Sequence, residues 1–213
     1  MTQQAKTLMV WGTASGVGKS VLVSALCRIF LRRGLRVCPF KAQNMSLNSY
    51  VTLDGGEIAR AQVVQAQASG LEPDVDMNPV LLKPSSDCRA QVILRGEPIG
   101  KYSALQYKNL KSRIWGVVCD SLDRLRKDYD LVIMEGAGSP AEINLSSHDI
   151  ANLKIADYAQ SPVLLAGDID KGGVFASIYG TIALLPEKMR RLIQGLIINK
   201  FRGDKRLLKS GLD

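Results

Sequence analysis

The chain has 213 residues, 46% hydrophobic and 23% charged, which supports a buried core and excludes a disordered or fibrous protein. No apolar run approaches the roughly 20 residues of a bilayer span, and Met1–Lys6 is polar, unlike a secretion signal, so a cytoplasmic protein without membrane attachment is expected. Lys and Arg number 28 against 20 Asp and Glu, a balance of +8 that favours anionic partners, while a single histidine, His148, argues against Ser-His-Asp and Cys-His catalysis.

Short apolar runs alternate with longer helical patterns, the signature of a parallel sheet covered by helices. Thr7–Trp11 reads as a buried strand followed by a glycine-rich turn. Leu22, Ala25, Leu26, Ile29 and Phe30 recur at helical spacing within Lys19–Arg33, and Gly34 stands where a C-cap belongs. Leu35–Phe40 reads as a second strand, and the polar stretch Lys41–Gly56 leads into a helix near Glu57–Ser69. Pro79, Pro84 and Pro98 interrupt Asn78–Gly100, where Gln91–Leu94 is expected as an edge strand.

A long helix over Ala104–Lys127 aligns Tyr107, Leu110, Ile114, Val118, Leu122 and Leu125, and Tyr102, Tyr107, Trp115 and Phe201 read as packing residues. Leu131–Met134 and Pro162–Ala166 are continuous apolar runs and read as buried strands. The second precedes a helix that brings Val174, Ile178, Ile182 and Leu185 into line, and Leu196–Ile198 is the last strand. The sequence ends inside what reads as a starting helix, so a fragment of a longer protein is expected. Cys27, Cys38, Cys88 and Cys119 form no CxxC pair, so neither zinc nor a redox motif is indicated.

The segment Val10-Trp-Gly-Thr-Ala-Ser-Gly-Val-Gly-Lys-Ser20 follows a strand and opens a helix, the context a phosphate-binding loop requires. Small residues let the backbone N–H groups of Gly12, Thr13, Ala14, Ser15, Gly16, Val17 and Gly18 turn inward around phosphate oxygens, where the helix N-terminus adds to the field. Lys19 reaches the terminal phosphates and the Ser20 hydroxyl ligates magnesium. The spacing departs from the strict G-x-x-x-x-G-K-S form, because Thr13 holds the first glycine position and the glycine is Gly12.

Ligands of an open α/β sheet collect at the carboxyl ends of its strands. Glu135 ends the Walker-B-like run Asp130-Leu-Val-Ile-Met-Glu, with Glu in place of the usual Asp. Asp54 and Glu57 follow the second strand and are either magnesium-proximal or helix caps. Asp168 and Asp170 precede Lys171-Gly-Gly, a further turn whose N–H groups suit an anion. Lys41 tips the second strand beside the expected γ-phosphate position, followed by Ala-Gln-Asn-Met-Ser-Leu-Asn48, whose Gln43, Asn44, Ser46 and Asn48 suit substrate amides and carboxylates. Asn199 ends the last strand with an amide able to read an adenine edge. The expected fold is α/β, a three-layer P-loop NTPase fold with a mostly parallel central sheet.

Together these residues resemble the ATP-binding, amide-forming domain of the cobyric acid synthase family. The matching stretches include Gly12–Ser20, Pro39-Phe-Lys-Ala-Gln-Asn-Met-Ser-Leu-Asn-Ser49, Asp54-Gly-Gly-Glu-Ile58, Asp76-Met-Asn-Pro-Val-Leu-Leu-Lys-Pro84, Glu135-Gly-Ala-Gly-Ser-Pro-Ala-Glu-Ile-Asn144, Asp168-Ile-Asp-Lys-Gly-Gly-Val-Phe175 and Ile198-Asn-Lys-Phe-Arg-Gly203. The resemblance implies a dethiobiotin-synthetase-like fold and ATP- and Mg²⁺-dependent amidation of a corrin's carboxylates through acyl phosphates. Lys19, Lys41 and Glu135 would be catalytic. The acceptor is a corrinoid, adenosylcobyrinic a,c-diamide, contacted from Lys41–Ser49, from the Ser139–Asn144 loop and from Asp168 and Lys171.

The family's glutaminase domain, the ammonia source, has no counterpart here, and Cys88 in Ser86-Asp-Cys-Arg89 departs from the family's pattern. The nearest alternative is a partitioning or septum-positioning ATPase, but those carry a signature lysine where Ala14 stands. Nucleic-acid binding rests on charge alone, since the basic residues are dispersed and no binding motif is present. A homodimer is left open.

Overall fold

The computed structural model describes residues 4–85, 89–144 and 149–212; His148 and Cys88 fall outside them. The chain begins β1 (Lys6–Gly12), α1 (Lys19–Arg32), β2 (Val37–Phe40), β3 (Gln43–Met45), β4 (Ser49–Val51), β5 (Glu57–Ala59) and α2 (Arg60–Ala68). It continues through β6 (Val80–Ser85), β7 (Arg89–Leu94), β8 (Glu97–Ser103), α3 (Ala104–Asn109), α4 (Lys111–Asp128) and β9 (Leu131–Glu135). The last elements are α5 (Leu153–Ala159), β10 (Val163–Asp168), α6 (Val174–Leu184), α7 (Glu187–Arg190), β11 (Ile193–Asn199) and the single turn α8 (Lys209–Leu212).

A five-stranded sheet in the order β11-β10-β1-β9-β2 forms the centre, and every pairing in it is parallel. Parallel strands need cover on both faces, and the alternation along β1 provides for it. Val10 packs with Val23 and Cys27 of α1 and with Val37, Leu131 and Ile133. Met9 and Trp11 face the opposite way, into a cluster with Ile114, Val118 and Leu122 of α4, Ile155 of α5 and Ile178 of α6. The result is the three-layer α/β architecture expected from the sequence. No helix among the described residues is long and apolar enough to cross a membrane.

Helix α1 ends in a Schellman motif. Gly34 adopts φ +84°, its N–H bonds Leu31 O and the Leu35 N–H bonds Phe30 O, which satisfies two terminal carbonyls. The connection from β1 passes over β9 to β2, whereas that from β9 passes over β1 to β10. The carboxyl ends of β1 and β9 therefore border a topological switch point, where open sheets bind ligands.

Several expectations are corrected by the second sheet, which runs β3-β6-β7-β8. Gln91–Leu94 belongs to β7, which is flanked by β6 and β8 and is not an edge. The edges are β3 and β8, and β8 carries Pro98, where a missing N–H is tolerated. Arg95 and Gly96, at φ +46° and +83°, make the two-residue turn between Leu94 and Glu97, the geometry a tight hairpin requires. The stretch Lys41–Gly56 contains β3 and β4, and Glu57–Ala59 is a strand paired with β4, so the helix starts only at Arg60. The long helix expected over Ala104–Lys127 is two helices. The first opens with a Ser103–Gln106 capping box and Leu110 separates it from the second.

Candidate functional site

At the carboxyl edge of the sheet, residues 13–18 return from β1 into α1. The Thr13 N–H bonds Ala166 O of β10 at 2.9 Å. Three side chains then hold loop carbonyls: Lys19 Nζ donates to Ala14 O at 3.0 Å, Lys200 Nζ to Gly16 O at 2.9 Å and Asn199 Nδ2 to Val17 O at 2.7 Å. With the carbonyls so engaged, the N–H groups of Gly16, Gly18, Lys19 and Ser20 bond no protein acceptor among the described residues. No side chain caps α1 either. The loop is a cradle of unpaired donors at a helix N-terminus, and it fits a polyphosphate.

Two glycines are dictated by space. A Cβ on Gly12 would lie 2.5 Å from Val17 Cγ2 and 2.9 Å from Lys19 Nζ. A Cβ on Gly18, at φ +103°, would lie 2.3 Å from Asn199 Nδ2. Gly18→Ala should therefore cost about 1–2 kcal/mol through backbone strain alone, and it should weaken nucleotide affinity by displacing Asn199 from Val17. Urea unfolding and nucleotide titration check this; wild-type values in both would show that the close approach is immaterial.

Beneath the cradle lies a buried charge cluster. Lys19, Lys41 and Glu135 are 7%, 7% and 2% exposed. Glu135 Oε1 accepts from Lys41 Nζ at 2.7 Å and from Ser20 Oγ at 2.8 Å. Its Oε2 accepts from the amides of Gln65 and Gln62. Lys19 Nζ reaches Gly138 O at 2.7 Å, in the segment that follows β9. Burial, then the neighbouring Lys41 charge, push the Lys19 ammonium down to about 8, against the opposing pull of Glu135. Two buried cations thus face one carboxylate, an excess suited to an anion.

The remaining predicted residues divide. Asp168 ends β10 and pairs with Lys200 at 2.6 Å, so it adjoins the loop through a lysine that sequence reasoning passed over. Lys171 is exposed in the following turn. Asn199 commits one N–H of its amide to Val17 O, which leaves its second N–H and its oxygen to any base contact. Asn44 donates to Gln62 at 3.0 Å and so reaches Glu135 indirectly. Ser46 and Asn48 bond each other in a local turn. Asp54 is exposed, and Glu57 pairs with Lys83 at 2.5 Å; neither contacts Ser20 or Glu135. Glu57 caps no helix, because the residue before α2 is Ala59.

Gln62 and Gln65 were also missed. Both are wholly buried and so need partners inside, but α2 also carries Arg60 and the exposed Gln67, so their spacing of three was the one mark the sequence held.

Between the second sheet, α3 and residues 137–142 and 149–152 opens a cleft of about 1020 Å³. Gln43, Ser139 and Gly138 line it, so it meets the glycine-rich loop where Gly138 O accepts from Lys19. Asn144 lies outside the lining, exposed. Tyr102 and Tyr107, expected as packing, line the cleft as well, and Tyr107 Oη donates to Gln43 at 2.5 Å.

Fold and cradle define a P-loop nucleotide-binding domain. The family model described as "CobQ/CobB/MinD/ParA nucleotide binding domain" matches residues 8–213, and the chain belongs to that family. It is 58% identical over 208 residues, 98% of its length, to the cobyric acid synthase of Desulforudis audaxviator, and 60% identical over 209 residues to that of Sorangium cellulosum. It spans only 42% and 40% of those relatives' lengths. Among solved structures, the signal recognition particle receptor FtsY of Elizabethkingia anophelis aligns with a TM-score of 0.51 and 18% identity, over 92% of this chain and 50% of that one. That likeness concerns the fold alone.

Proposed function

We propose that this domain uses ATP and Mg²⁺ to activate peripheral carboxylates of adenosylcobyrinic acid a,c-diamide as acyl phosphates. Ammonia, delivered by a glutaminase domain, captures them on the way to adenosylcobyric acid in cobalamin biosynthesis. The observation that carries this reading is the junction at Gly138, where the lysine-rich phosphate site opens into a cleft spacious enough for a large acceptor. The 58% identity to a cobyric acid synthase supports it.

Bound ATP would supply the γ-phosphoryl group, and magnesium, when bound, would supply charge neutralisation. The N–H groups of the 13–20 loop hold the polyphosphate. Lys19 and Lys41 bring two cations to the place where charge builds between cradle and cleft, so positioning and neutralisation lower the barrier. Ser20 Oγ and Glu135 are hard oxygen donors that would hold magnesium, whose other positions suit phosphate and water. An acceptor carboxylate with a pKa of about 4 is already ionised at neutral pH and needs no general base.

The test is ATP turnover by the 213-residue chain with free ammonium and adenosylcobyrinic a,c-diamide. ADP should form only with the corrin, alongside the mass change of carboxylate-to-amide conversion. Hydrolysis indifferent to the corrin but stimulated by DNA or self-association would replace the ligase with a switch ATPase.

A further inference from the structure

The cleft is more than a void beside the nucleotide site, because its two sides differ in chemistry. Its floor carries Met45, Leu82 and Val92 from the second sheet, an apolar surface for a large flat body. At its mouth, Arg89 opens β7, Lys108 sits on α3 and Lys111 starts α4. None of the three is in an ion pair among the described residues. The opposite wall offers two carboxylates. Asp149 is committed to the N–H groups of Ala151 and Asn152, and Glu142 is exposed.

Burial is the main cause that pushes the Lys111 ammonium down, and the neighbouring Lys108 and Lys154 charges add to it. The volume, about 1020 Å³, is at the upper end of small-molecule sites. An apolar floor with an unpaired cationic rim fits an amphipathic polyanion, and Gly138, which also lines the cleft, accepts from Lys19.

We propose that Lys108 and Lys111 are specificity-determining residues that anchor carboxylates of the acceptor other than the one being activated at Lys19. The assignment rests on the corrinoid ligase reading above. It has a consequence for successive amidations: each converts a charged anchor to a neutral amide, so rim affinity falls as the acceptor approaches its final state. The finished product is then released without any change in the protein.

The test is titration of adenosylcobyrinic a,c-diamide, and separately of a fully amidated neutral corrinoid, followed by corrin absorbance at low and high salt. The double variant Lys108→Glu with Lys111→Glu should bind the carboxylate-bearing corrin about tenfold or more weakly, a factor reached by about 1.4 kcal/mol, and should lose most of its salt dependence. Its affinity for the neutral corrinoid and for ATP should be unchanged, which also shows the fold to be intact. Lys108→Arg with Lys111→Arg should restore wild-type behaviour. Equal binding of the charged corrin by wild type and the Glu variant would overturn the anchoring role and leave the ligase reading standing. A wild-type chain that binds ATP but neither corrinoid would overturn both.

Discussion

Glu135→Gln is expected to reduce ATP-dependent turnover by about 10²–10³-fold, the range for removal of one preorganised electrostatic group, and to lower stability as well. Among the described residues the carboxylate is the only negative charge paired with Lys41, and it receives four side-chain donors. Glutamine preserves the shape but removes the counter-charge, so Lys41 is left buried beside Lys19. Breaking a buried pair from one side costs about 3–5 kcal/mol. Lys41→Met alone should cost a similar amount, by stranding the acid.

The double variant Glu135→Gln with Lys41→Met should regain part of that stability, because no uncompensated charge remains at this pair, while activity stays lost. Urea unfolding of the four proteins yields the coupling free energy. Additive effects would mean that the pair is not the unit described here.

Nucleotide affinity is expected to be flat below pH 8 and to fall about tenfold per pH unit above it. Lys19 in the free protein loses its proton near pH 8 through burial and the Lys41 charge, whereas a polyphosphate favours the charged form and raises that value. Binding above pH 8 must therefore take up a proton. Calorimetry of MgATP binding in buffers of different ionisation enthalpy should show uptake approaching one proton at about pH 9.5 and little at about pH 7. Lys19→Arg, which stays charged, should abolish the uptake.

The same depression makes the stability contribution of Lys19 rise with pH between about 8 and its ordinary 10.5. In that window the unfolded chain binds more protons than the folded one. Uptake that is unchanged in the arginine variant would assign the titration to another group.

The alternation of apolar runs with helical periodicity was enough to read the three-layer α/β fold, because burial on both faces of a strand leaves a local mark. It failed between Lys41 and Lys127. There, strands of three residues such as β3, β4 and β5 are too short to show a period, and Arg95-Gly96 is a weaker hairpin signal than Asn-Gly. Prolines that seemed to break structure stand inside β6 and β8, whose neighbours decide what a missing N–H costs.

What the amino-acid sequence by itself determined is the loop with its unpaired donors, since Gly12 through Ser20 form one continuous segment whose donors, glycines and helix start are all local. Glu135 and Lys41 were also legible, as the last residue of an apolar run and the first residue beyond another. Only the tertiary structure decided what those groups touch. Glu135 meets Ser20, Lys41, Gln62 and Gln65 because β9 inserts between β1 and β2, and Lys200 reaches Gly16 because β11 lies beyond β10. Strand order is a matter of contacts distant along the chain, to which a pattern repeating over a few residues is blind.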